Sequence, residues 1–115
     1  MENEGQFDAA GLTERVMGDA ALAKLVAEVF MDSMVHELLA LSNAINNADA
    51  EAIAFTAHSI KGAAANAGGL AVCDLATKLE SMGLAGTIET ASEVLGEMEA
   101  SYESLKPVIQ KFCED

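Results

Sequence analysis

The chain has 115 residues, 51% of them hydrophobic, with no tryptophan and one proline; that is enough apolar content for one domain with a buried core, and the absence of β-branched runs favours packed helices. Nineteen acids against six bases give a formal charge of −13, which excludes the clustered lysines and arginines that nucleic acid or an anionic membrane would need. Cys73 and Cys113 lack CxxC spacing and read as two reduced thiols, and the acidic start MENEGQFDAAG has neither a basic nor an apolar leader region, so a cytoplasmic protein without a metal site is expected.

In chain order, residues 7–17 read as a short lead-in helix. Asp19 is positioned to cap a long helix over about 19–47, in which Phe30, Met34, Leu38, Leu41 and Ile45 recur every three or four residues as one core-facing stripe. A second apolar set, Leu22, Leu25, Val26 and Val29, lies on another side, and the lead-in helix is expected to cover it. Asp49 opens a helix over about 49–67, and Gly68-Gly69 supplies the backbone freedom to stop and reverse it.

The segment 70–82 carries Val72, Leu75, Leu79 and Met82 on one face, and GLAG at 83–86 is expected to break the chain before Thr87 caps a last helix over about 87–113. There Ile88, Ala91, Leu95, Met98, Tyr102, Leu105, Ile109 and Phe112 keep three- and four-residue spacing. Pro107 interrupts this helix, so a kink near Glu103 or a new short helix is expected. The whole, residues 1–115, reads as a single all-α domain: an antiparallel four-helix bundle with a short additional N-terminal helix.

The stretch AHSIKGAAANAGG, 57–69, stands apart. On a wheel of about 100° per residue, Ile53, Ala57, Ile60, Ala64 and Ala67 face the core, and His58 points outward, roughly 140° away. Around it lie Ala54 and Ala65, which leave the imidazole unshielded, Phe55, an exposed aromatic, and Gly62, which costs about 1 kcal/mol against alanine in a helix interior. With Asn66 these residues make a surface cleared for a partner protein.

No triad and no zinc spacing accompanies His58. What remains is a nucleophilic imidazole with an anionic product, and Lys61, one turn along, is placed to pair with that anion; phosphorylation fits this description. If the two helices fold back at Gly69, residue 58 comes level with Glu80, whose carboxylate would accept the Nδ1 proton and leave Nε2 free. The plainer readings are a solvated histidine, a solubilising lysine, one surface acid among nineteen, and a Phe55 tucked against a neighbouring helix. The clustering favours function at His58. His36, in VHELLAL, lies opposite the Phe30 to Ile45 stripe and reads as solvated.

With these residues assembled, the chain resembles the histidine-containing phosphotransfer (HPt) family. The likeness rests on HSIKG at 58–62, the small residues that follow, and LE at 79–80; Phe30, Leu41, Ile45, Asp49 and Ile53 fall where the family keeps its core and turn positions. Gly69 departs from the family's usual alanine. The resemblance implies His58 as phosphoacceptor, Lys61 as phosphate-stabilising lysine, Gly62 as the small residue that admits the partner, and Glu80 as the residue that orients the imidazole. It also implies response-regulator receiver domains and/or a hybrid histidine kinase as partners, with Mg²⁺ in the receiver and no cofactor in this chain. A monomer is expected. No Walker A pattern or kinase-type glycine loop is present, so self-phosphorylation is not expected. Three functions stay open: a phosphorelay intermediate between receivers, the phosphotransfer domain of a chemotaxis-type kinase, and a non-catalytic acidic helical adaptor.

Overall fold

The computed structural model describes residues 7–115; the acidic residues 1–6, read above as carrying no leader, lie outside them. Five helices follow one another: α1 (Ala9–Arg15), α2 (Ala20–Asn46), α3 (Ala50–Ala67), α4 (Leu70–Ala85) and α5 (Ala91–Glu114). The four long ones form a helical bundle, with α3 packed between α2 and α4, and α5 against both α2 and α4.

Aspartates start the first three helices. Asp8, Asp19 and Asp49 each accept a hydrogen bond from the backbone nitrogen three residues on, at Gly11, Leu22 and Ala52, so an otherwise orphaned donor is satisfied at each start. α3 ends at Gly68 in the left-handed conformation, φ 85°. A side chain there would also collide with the Asp8 carbonyl, since the Asp8 nitrogen donates to the Gly68 oxygen at 2.7 Å. Phe7 makes an isolated antiparallel bridge with Gly69, and its ring meets Phe112 edge to face at 5.2 Å. The chain start is thereby fastened to the α3/α4 turn.

The core stripes follow the helical period. Ile53, Ala57, Ile60, Ala64 and Ala67 of α3 are fully buried, as are Met34 and Leu41 of α2 and Met98 and Ile109 of α5; Leu38 and Ile45 are half-buried. Each large aliphatic removed from water contributes about 1.5–3 kcal/mol.

Four features differ from the sequence reading. The lead-in helix does not cover the second face of α2: Leu22, Leu25 and Val29 are exposed, and only Val26 is half-buried. α1 is drawn instead to the C-terminal end of α3, where Leu12 is buried and the Arg15 guanidinium donates twice to the Asn66 carbonyl, at 3.1 and 3.2 Å. α4 continues through Gly83 to Ala85, and Gly86, φ 76°, ends it; Gly83 stays helical because its missing side chain is used for packing. α5 begins at Ala91, so Thr87 does not cap it, and Thr90 holds the cap position without a side-chain bond. Finally, α5 runs as one helix through Pro107 with no new helix after it, its buried Leu105 and Ile109 bracketing the ring. The proline removes a single backbone donor, which that packing outweighs.

Candidate functional site

The α3/α4 hairpin carries the site. Because α3 stops at Gly68 and α4 starts at Leu70, the two helices run back along each other, and the level of His58 on α3 is the level of Glu80 on α4. Glu80 follows Leu79, which is fully buried, so its side chain emerges at the seam between the helices with only 17% of it exposed.

One Glu80 oxygen, Oε2, lies 2.8 Å from His58 Nδ1, and the other, Oε1, lies 2.6 Å from Lys61 Nζ. The carboxylate thus bridges two side chains of α3 that stand one turn apart. The hydrogen bond from Lys61 first, and that from His58 second, hold the Glu80 carboxyl below its ordinary value. It is therefore an anion near neutral pH, an acceptor only, so the imidazole nitrogen facing it must carry the proton. In the neutral ring this selects the Nδ1–H tautomer, in which Nε2 carries the free lone pair. The His58 side chain remains 69% exposed, so the ring can be reached from solvent.

Sequence reasoning placed Lys61 toward a future anion on the histidine; the structure places its ammonium on Glu80. The three residues nevertheless form one constellation.

Around it the surface carries exposed apolar side chains, with the acid Glu51 among them. Phe55, 78% exposed, and Leu84, 76% exposed, flank an open cleft of about 360 Å³ whose wall includes His58 and Glu80. Phe55 is not tucked against a neighbour. Gly62 stands one turn beyond His58, with no atom within 4 Å of where a side chain would begin, and Ala65 and Asn66 are exposed a turn further on. Ala54 differs from its reading as an unshielding surface alanine: it is only 7% exposed, because the α4 backbone at Gly83 lies against it. His36, the other histidine, is exposed on α2 and enters no ion pair among the described residues.

Two features were missed by sequence reasoning. Leu84 was passed over as part of a chain break, although its position four residues after Glu80 on a continuing helix would have placed it beside the site. The other is a groove of about 340 Å³ between α2 and α3, lined by Leu25, Val29, Phe30, Ala63 and Asn66; its signal was the second apolar set of α2, left uncovered.

Comparison with known proteins bears on the same elements. A family model described as the Hpt domain matches residues 25–107, from within α2 to within α5. The crystal structure of histidine-containing phosphotransfer protein B (HptB) from Pseudomonas aeruginosa PAO1 is similar over 95% of both chains, with a TM-score of 0.84 and 25% sequence identity. No curated protein matches the chain.

Proposed function

The chain belongs to the Hpt domain family and has its role, histidine phosphotransfer within a phosphorelay; from that premise we propose that His58 is the residue that accepts the phosphoryl group, taking it from a receiver-domain aspartate and passing it to another receiver. The observation that carries this reading is the hydrogen bond between Nδ1 and Glu80 at 2.8 Å on an imidazole that is otherwise open to solvent.

The chemistry balances without a base. The Nε2 lone pair attacks phosphorus in line, the bond from phosphorus to the aspartyl oxygen breaks, and the aspartate leaves as a carboxylate. Nδ1 keeps its proton throughout, so the ring becomes a phosphorylated imidazolium whose positive charge Glu80 faces at hydrogen-bond distance. Lys61 neutralises Glu80 in the resting protein and stands one turn from the new phosphoryl oxygens, to which its ammonium can turn. Positioning dominates such transfers, so this side of the reaction needs little beyond an aimed imidazole. The receiver supplies the Mg²⁺, and the transfer calls for no cofactor or ATP site in this chain.

Hpt domains act with receiver domains and histidine kinases. In this chain Phe55 and the added Leu84, over Ala54 as floor, form the docking face beside His58, continued along α3 by the exposed Gly62, Ala65 and Asn66. The protein works as a cytoplasmic monomer that meets its partners in turn. Among the described residues no helix is long and apolar enough to cross a membrane.

The test is transfer from a Mg²⁺-loaded, prephosphorylated receiver to wild type and to His58→Gln, followed by intact mass and acid lability. Acid-labile phosphate on wild type alone supports the reading; equal labelling of both proteins removes His58 from it.

A further inference from the structure

Gly83 is a buried glycine in the last turn of α4, three residues after Glu80. It lies against Ala50 and Ala54 of α3, the latter four residues before His58. A methyl group on Gly83 would sit 2.7 Å from the Ala54 nitrogen, 2.8 Å from the Ala50 oxygen and 2.9 Å from the Ala54 Cα. All three are backbone atoms of a packed helix, so no side chain can swing aside. Carbon atoms sit at about 3.5–4.0 Å in ordinary contact, so relief would require α3 and α4 to part by roughly 0.5–1 Å. Gly62 and Gly96 have no such neighbour within 4 Å.

One turn from this contact, Glu80 reaches across to His58 at 2.8 Å. Both oxygens of its carboxylate are engaged by α3 side chains, one on His58 and one on Lys61, so a wider seam stretches both bonds together. A parting of that size brings the Nδ1 contact to about the 3.5 Å beyond which a side-chain hydrogen bond is lost. We propose that Gly83 is a positioning residue of the phosphotransfer site: its missing side chain sets the α3/α4 spacing at which Glu80 holds Nδ1 of His58 and leaves Nε2 as the nucleophile. The effect on transfer rests on His58 being the phosphoacceptor; the effect on the imidazole does not.

Gly83→Ala is made alone and together with Gly96→Ala, whose methyl enters open space and strengthens α5, alongside Glu80→Ala and the double Glu80→Ala/Gly83→Ala. Nitrogen-15 NMR of the imidazole reads the tautomer of His58. Phosphoramidate reads its nucleophilicity without a partner: the bond from Nε2 to phosphorus forms, the P–N bond breaks and ammonia leaves. In Gly83→Ala the Nδ1–H tautomer should give way to the same mixture that Glu80→Ala is expected to show, and labelling should slow several-fold, with no further slowing in the double variant. A wild-type tautomer in Gly83→Ala overturns the proposal, as does additive slowing in the double variant. Loss of the helical far-ultraviolet signature in both backgrounds overturns it too, because the glycine would then serve the fold as a whole. If wild-type His58 accepts no phosphate from any donor, the proposed function fails, while the tautomer still decides the role of Gly83.

Discussion

The α3/α4 half of the bundle and the α2/α5 half are packed with different materials. α2 and α5 bury Ala23, Ala27, Ala44 and Ala91, but their core is dominated by Phe30, Met34, Leu41, Met98, Tyr102 and Leu105, and the Phe30 and Tyr102 rings meet edge to face at 6.1 Å. α3 and α4 bury alanines alongside Ile53, Ile60, Val72 and Leu79, and come backbone to backbone where Gly83 meets Ala54. Large side chains supply most of the buried area and hence most of the stability. Small ones contribute less area but fix a distance, and the distance is what a single carboxylate spanning two helices requires.

His58→Gln separates the two halves most sharply. All acid-labile phosphate should vanish, while stability stays within about 0.5 kcal/mol of wild type, as for other exposed positions; intact mass and a urea titration on the same sample report both. Phe30→Ala is the converse. It truncates a side chain only 2% exposed and should cost about 3–5 kcal/mol in urea denaturation, while the His58 tautomer in the folded protein stays that of wild type. A shifted tautomer would mean that the α2/α5 half also sets the site's geometry. Tyr102→Phe is milder: it removes the hydroxyl that donates to the Met31 carbonyl at 3.1 Å and keeps the ring, so a loss of about 0.5–1.5 kcal/mol is expected.

The same contrast explains what could be read from the sequence. Buried stripes such as Ile53, Ala57, Ile60, Ala64 and Ala67 obey a period within one helix, and a period is visible in one dimension. The pairing of His58 with Glu80 was also legible, because a tight turn at Gly68-Gly69 converts sequence distance into spatial level. Contacts between helices leave no such trace. Ala54 looks like any surface alanine until Gly83 is laid upon it, and Gly83 looks like a chain break until α4 is seen to continue through it. Lys61 belongs to the same class: its spacing gives its place on α3 but not its choice of Glu80 as partner. Leu22, Leu25 and Val29 remain exposed because Asp8 and Arg15 tie α1 to the end of α3, through a backbone bond at Gly68 and a side-chain bond at Asn66, neither of which is part of any hydrophobic pattern.

The smallest expected effect concerns Glu80 in acid. Its carboxyl is held below the ordinary glutamate value, chiefly by the Lys61 hydrogen bond and then by that from His58, so between the two values the unfolded chain binds more protons than the folded one. Stability from this group is therefore fully present above the ordinary value and disappears as pH falls through the lower, folded one. Glu80→Gln removes the charge and keeps the shape. Urea midpoints of the two proteins should differ at neutral pH and converge as the solution is acidified below the ordinary carboxylate range, with the variant showing the flatter profile. Because the seam is partly open to water, the gap will be small, and added salt should narrow it further at neutral pH. A gap that persists unchanged into acid would assign the contribution of Glu80 to packing at the seam, leaving its charge to serve the imidazole alone.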